Sequence, residues 1–200
     1  MEQVTVNYNT FKFEELSEKS QEKAIDTYRE NKAQWDSEFI FECTLEDWKE
    51  KLEGMGFLAP KIYFSGFSCQ GDGACFEAEC DLTEIIKHVD TKTYRHLIEL
   101  IDDNQISCSI ESTSYANHYN HERTRYIEIE NPFWHERCPR ANALGKRLRE
   151  ELEEFRYDLA HQIYVSLEKD WDYAMSDECI KEDIECNELV FLEDGQVFDS

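Results

Sequence analysis

The sequence predicts an α+β fold: an antiparallel sheet built from two central hairpins, packed against helices. One of those helices is long and amphipathic, over about 140–171, and a small hairpin closes the C-terminus. Three observations predict this. Residues 61–67 and 74–82 form one pair of strand-like stretches flanking a turn, and 105–113 and 125–131, which alternate well, form a second. From Leu144 to Trp171 an apolar residue recurs every third or fourth position, the period of a helix with one buried face. With only 7 Gly and 3 Pro, no linker and no repeat, residues 1–200 read as a single acidic domain around one core.

Each element has a local reason. Residues 4–8 alternate apolar and polar, a short strand signal. Ser17 is a natural N-cap for a helix running to about Lys32, with Ala24, Ile25 and Tyr28 on its inner face. A second helix begins near Asp36, with Phe39, Ile40, Cys43, Trp48 and Leu52 at helical spacing and Gly54 or Gly56 as its stop. Pro60 opens the first hairpin, and Asp72-Gly73 supplies its turn chemistry. Residues 82–101 read as helix with a break near Asp90. The second hairpin carries a His-rich tip, SYANHYNHERT. Pro139 starts the long helix, whose stripe of Leu144, Leu148, Leu152, Phe155, Leu159, Ile163, Leu167 and Trp171 implies a rod of about 46 Å. Ser176 caps a following short helix with Asp177 and Glu178 in its first turn, and Asp194-Gly195 marks the last hairpin.

The charge is the strongest functional signal. With 45 Asp plus Glu against 21 Lys plus Arg, the formal net charge is -24. Nucleic-acid binding draws on basic residues that displace counterions, so direct nucleic-acid binding is not expected. An anionic membrane surface is disfavoured in the same way, and no run approaches the 18 apolar residues of a span. A basic protein surface is the electrostatic complement. The acid concentrates at the end: residues 168–200 carry a net charge of -10, yet Trp171, Tyr173, Ile180, Ile184, Leu189, Phe191 and Leu192 are spaced as in a folded segment. The consistent strip is Asp170, Asp172, Asp177, Glu178, Glu182, Asp183, Glu185 and Glu188, and the long helix adds Glu150, Glu151, Glu154 and Asp158. Arg147, Arg149 and Arg156 interrupt the latter group, as in ordinary intrahelical ion pairs. The N-terminus MEQVTVNYNTFKF lacks a basic start and an apolar run, so no secretion signal is expected, and the eight cysteines read as reduced thiols. Cys43, Cys75 and Cys108 read as small buried hydrophobes.

Three constellations bear on chemistry. The loop SGFSCQGDGA, with Ser65, Gln70, Gly71, Asp72 and Gly73, has glycines able to present backbone N–H groups as an anion nest, with His118 and His121 on the neighbouring tip. The bland reading is a hairpin loop in which Gln70 and Asp72 bond their own backbone. His118 and His121, with His135 and Cys138, have donor types suited to zinc, but a strand of about 20 Å separates the pairs, so no metal site is assigned. Cys69, near Asp72 and the His118/His121 tip, is the one nucleophile pairing worth testing, and no catalytic residue is assigned. The pattern assigns no cofactor and no oligomeric state.

Three segments, FEELSEKSQEKAIDTYRE, IYFSGFSCQGDGACFEAE and SDECIKEDIECNELVFLEDGQVF, together resemble a family of small proteins encoded by tailed bacteriophages and prophages, some labelled antitoxin-like. Relatives often carry an aromatic where this chain has Ser68. The resemblance implies a phage origin and a host-cytoplasmic setting, and supplies no catalytic residues. With the charge, it gives the functional expectation: a non-enzymatic protein that binds and inhibits a host protein with a basic surface, such as a defence nuclease or other nucleic-acid-binding factor, by presenting carboxylates as a DNA mimic. The alternatives are a small-ligand, nucleotide or metal-binding protein or enzyme using the SGFSCQGDGA loop and the His118/His121 tip, and an antitoxin-like neutraliser of a toxin.

Overall fold

The computed structural model describes residues 8–34, 37–90, 92–94, 107–113, 120–130 and 139–198. The architecture is α+β, with helices and antiparallel sheets. The chain forms two compact units, one of residues 1–41 with 169–200 and one of residues 42–168. The strand expected over 4–8 lies almost wholly outside the described residues.

The first unit joins the two ends of the chain. Strand β1 (Phe11–Lys12) pairs antiparallel with β6 (Val190–Phe191), and Phe191 bridges on to Val197. The C-terminal hairpin is therefore minimal, and its partner β1 comes from a segment with no strand signal. After a 3-10 turn (Phe13–Glu15), helix α1 spans Glu18–Lys32. Ser17 caps it, its Oγ accepting from the Ser20 N–H at 3.3 Å. Helix α5 (Asp177–Cys186) is capped the same way by Ser176, which accepts from the Cys179 N–H at 3.2 Å. Ala24, Ile25 and Tyr28 of α1 meet Ile180 and Ile184 of α5 in a core closed by Phe13, Leu16 and Phe191.

Helix α2 (Ser37–Gly54) contributes residues to both units. Its inward face differs from the sequence reading. Phe39 is 80% exposed and Cys43 is exposed, while Phe41, Trp48 and Leu52 are buried. Phe41 and Phe39 are two positions apart on a helix, so only one can face inward; Phe41 takes the place, 6.4 Å from the Trp171 ring.

The second unit holds a four-stranded sheet of order β2-β3-β4-β5, with β2 Phe57–Ser65, β3 Gly73–Cys80, β4 Ser107–Ser112 and β5 Arg125–Glu130. The two hairpins are β2–β3 and β4–β5, all pairs antiparallel. Strand β2 starts at Phe57, ahead of Pro60, because a bulge between Leu58 and Lys61 lets the ladder pass Ala59 (φ 46°) and the proline. Helix α3 (Leu82–His88) is capped by Asp81. It ends at Val89, and Asp90 then caps a new helical turn at 92–94, which places the expected break. The rest of that predicted helix is outside the described residues.

Helix α4 runs Pro139–Ala174. Leu148, Leu152, Leu159, Ile163 and Leu167 of the stripe are buried, and the Phe155 ring stacks on Phe57 at 6.2 Å. A charged residue is buried with them: Arg156, only 1% exposed. Its Nε and NH2 donate to Glu153 Oε2 (2.9 and 2.7 Å), and its NH1 donates to the Glu122 carbonyl (2.7 Å). Glu153 Oε1 accepts the N–H of Ile127 in β5 at 2.6 Å. Strand β5 is at the edge of the described sheet, and Glu153 satisfies a backbone donor there.

Candidate functional site

The eight strip residues Asp170 to Glu188 belong to the first unit, and Glu150, Glu151, Glu154 and Asp158 to the second. Burial of Ile180 and Ile184 against α1 turns the other faces of α5 outward, so Glu178, Glu182 and Glu185 are exposed. Cations within the unit take two of the strip. The Arg29 guanidinium bridges Asp26 and Asp177 and donates to the Met175 carbonyl at 3.0 Å. Lys32, 8% exposed, donates to Asp183 at 2.5 Å and to the Cys179 thiol at 3.4 Å. Burial alone would lower the Lys32 pKa, but those two hydrogen bonds and the Asp183 charge outweigh it and the net shift is upward. Glu182 accepts from the Tyr173 phenol, whose pKa its charge raises.

Asp172, Glu178, Glu185 and Glu188 are exposed and make no ion pair among the described residues; Asp170 is half-buried and likewise without one. In the second unit Glu150 lies 3.8 Å from Lys146 and Glu151 lies 2.8 Å from Arg147, the intrahelical pairs anticipated from spacing. Glu154 and Asp158 are exposed and unpaired among the described residues.

The two hairpin tips of the second unit meet. Asn120 Nδ2 donates to the Phe64 carbonyl at 3.3 Å, and a Cβ placed on Gly73 would stand 2.5 Å from His121 Cβ. Gly73 is thus a strand residue kept small by this approach; the turn residue with positive φ (112°) is Gly71. Asp72 folds its carboxylate back onto the loop, where Oδ2 accepts the N–H groups of Ser68 (2.9 Å) and Cys69 (2.6 Å). Two of the loop's backbone donors, at Ser68 and Cys69, are therefore occupied from within. Phe67 packs between Phe64 (6.2 Å) and Tyr164 (5.5 Å), which fixes the loop on α4. Gln70 is exposed, and the Ser65 hydroxyl is buried without a hydrogen-bond partner among the described residues.

His121 is the N-cap of a 3-10 turn (Glu122–Thr124), its Nδ1 accepting from the Arg123 N–H at 3.1 Å. The same nitrogen lies 3.3 Å from the Glu122 carboxylate. His118, His135 and Cys138 lie outside the described residues, and among the described residues no group of three or more His, Cys, Asp or Glu could hold a metal ion. Burial pushes the Cys75 thiol pKa up against the opposing pull of Arg125, and a hydrogen bond with Cys108 together with burial pushes Cys80 up, so neither is an activated nucleophile.

A third buried cation, beside Arg156 and Lys32, was missed by sequence reading. Arg125, nearly fully buried, has its Nε 2.9 Å from Glu77 Oε1, off the line of a straight hydrogen bond, and its guanidinium lies 5.0 Å from the Tyr63 ring centre. Tyr63 and Ser112 also donate to Glu77. An arginine opening a β-patterned run was the available signal.

Residues 40–177 match the model of the family described as Domain of unknown function (DUF8835). The chain belongs to that family. The matched segment contains the joined hairpin tips and α4, whereas α1 and all of α5 beyond its first residue lie outside it. No curated protein and no solved structure matches the chain.

Proposed function

We propose that this DUF8835 protein is a phage-encoded, non-enzymatic binder that inhibits a host protein in the host cytoplasm by presenting carboxylates to a basic, nucleic-acid-binding surface. A defence nuclease is the type of target such a surface fits. An antitoxin-like role would use the same physics with a toxin as partner. One observation carries the reading: on the folded first unit, Asp172, Glu178, Glu185 and Glu188 stand exposed with no cation among the described residues. The unit has therefore not neutralised its own acid, and a net charge of -24 steers basic partners towards it. Burial raises the Cys75 pKa, a hydrogen bond with Cys108 together with burial raises that of Cys80, and Asp72 takes the Ser68 and Cys69 N–H groups of the central loop, which weighs against competing chemistry at those positions.

The full chain, immobilised and exposed to bacterial lysate at about 0.05 M and about 0.5 M salt, tests this. The expected capture is a basic nucleic-acid-binding protein, retained at low salt and released at high salt. A variant with Asp172→Asn, Glu178→Gln, Glu185→Gln and Glu188→Gln should lose most of it. Capture indifferent to salt and to these substitutions, or no capture, overturns the reading.

A further inference from the structure

The first unit carries a groove of about 510 Å³ between the β1 end of the chain and the α5–β6 connection. Half-buried Leu189 and Val190 give it an apolar wall above the buried Phe13 and Ile184, and Glu14, Glu185 and Glu188 are exposed around it. Those three carboxylates form no ion pair among the described residues, and neither does the neighbouring Lys12.

Local physics is violated here in one consistent direction. The last turn of α5 contains no basic residue, although a helix C-terminus is the negative end of its dipole and favours cations. Glu185 and Glu188 add negative charge at that end. The helix closes in a Schellman arrangement, with the Leu189 N–H donating to the Ile184 carbonyl (3.2 Å) and the Glu188 N–H to the Glu185 carbonyl (3.0 Å). Glu188 therefore occupies the left-handed position, at φ 50°, where glycine is the usual residue. Backbone strain, helix-end charge and unpaired carboxylates coincide at one apolar-lined groove. A bound cation would relieve the two electrostatic conflicts together. A second copy of a chain of net charge -24 is a poor occupant, since it would bring more of the same charge.

We infer that this groove docks a basic peptide segment of a protein partner, with arginine or lysine against Glu14, Glu185 and Glu188 and an aliphatic side chain over Leu189 and Val190. This rests on the reading of the protein as an acidic binder and assigns its contact point. The groove residues lie outside the family-matched segment 40–177.

The test is fluorescence anisotropy with the full chain and a labelled decapeptide holding an Arg-Leu-Arg core in Gly/Ser flanks. Glu14→Gln, Glu185→Gln and Glu188→Gln combined should weaken binding about five- to tenfold. A variant with Glu46→Gln, Glu50→Gln and Glu53→Gln, exposed acids of α2, removes the same charge elsewhere and should change it less than about twofold. Equal weakening by both variants would mean that only the overall field acts, and overturns the proposal. Replacing the peptide's leucine by serine should weaken binding by severalfold; unchanged affinity removes the apolar contact and overturns the docking mode. Glu188→Gly gives a separate readout: relief of the left-handed strain should raise Tm by about 2–4 °C while peptide affinity falls. Affinity untouched by that substitution also overturns the assignment. If a basic host partner is captured equally by the groove triple variant, the groove fails and the acidic-binder reading stands. Peptide binding at the groove with no salt-sensitive host partner supports the groove and overturns the host-inhibitor reading.

Discussion

Asp72 accounts for the central loop almost alone. Its carboxylate accepts two backbone N–H groups, at Ser68 and Cys69, and its own N–H donates to the Cys69 carbonyl at 3.1 Å. Asp72→Ala leaves both N–H groups without their acceptor, but Ser68 and Cys69 are exposed, so water replaces part of the loss. The expected cost is about 1–2 kcal/mol in urea unfolding, with Asp72→Asn costing less because one acceptor oxygen remains. An unchanged midpoint for the alanine variant would mean that the Phe64–Phe67–Tyr164 stack holds the loop without it. Local chemistry of this kind was partly legible in the sequence. Ser17 and Ser176 announced themselves as caps because a cap needs only its next three residues. An aspartate between glycines announced a turn, but the direction of its carboxylate depends on the folded loop, and so the nest reading and the self-bonded reading looked alike.

At the scale of elements, the contact between α4 and the second hairpin depends on a charged residue inside an apolar stripe. Arg156 links Glu153 of its own helix to the Glu122 carbonyl, and Glu153 in turn accepts from Ile127 of the edge strand. Removing the arginine leaves the part-buried Glu153 and a carbonyl without their donor. Arg156→Met should therefore destabilise the protein by about 3 kcal/mol, below the upper range for a buried pair because Glu153 is one-quarter exposed. Arg149 does not duplicate this link, since its reach to the Ile129 carbonyl is a marginal 3.5 Å. Chemical denaturation of Arg156→Met and Glu153→Gln, with the double variant, measures the coupling; additive losses would show that the two residues act separately. The stripe from Leu148 to Leu167 was legible because a period of three to four repeats over many turns. Arg156 was legible only as a partner of Glu153. Its contact with Glu122 bridges 34 residues of chain, a separation that no local pattern reports. Phe39 and Phe41 posed the same difficulty in miniature: both suit a helix, and contacts far along the chain, such as that of Phe41 with Trp171, decide between them.

For the molecule as a whole, the excess of acid was plain from composition, but which carboxylates remain free was not. Arg29, Lys32 and Lys23 reach Asp177, Asp183 and Asp194 across more than a hundred residues of sequence, so the neutralised members of the strip look no different from the free ones until the chain folds. The balance has a measurable consequence for stability. Exposed ion pairs such as Lys23–Asp194 and Lys87–Glu84 contribute little each and weaken as salt rises. Repulsion among the surplus carboxylates destabilises the compact state and is also screened by salt, with the opposite effect on stability. With 45 acidic residues against 21 basic ones, the surplus carboxylates set the balance, and the three pairs built on the buried cations Arg156, Arg125 and Lys32 are little sensitive to screening. Raising sodium chloride from about 0.01 M to about 1 M shortens the Debye length from about 30 Å to about 3 Å. Tm at pH 7 should then rise by at least about 2 °C, the shift that follows from about 1 kcal/mol of relieved repulsion in a chain of this size. The charge-reduced variant Glu14→Gln, Glu185→Gln, Glu188→Gln should begin from a higher Tm at low salt and gain less on addition of salt. A Tm that falls with salt would mean that ion pairs, and not surplus carboxylates, set the electrostatics of the fold, and the outward-facing acid would lose the energetic distinction on which the proposed partner binding rests.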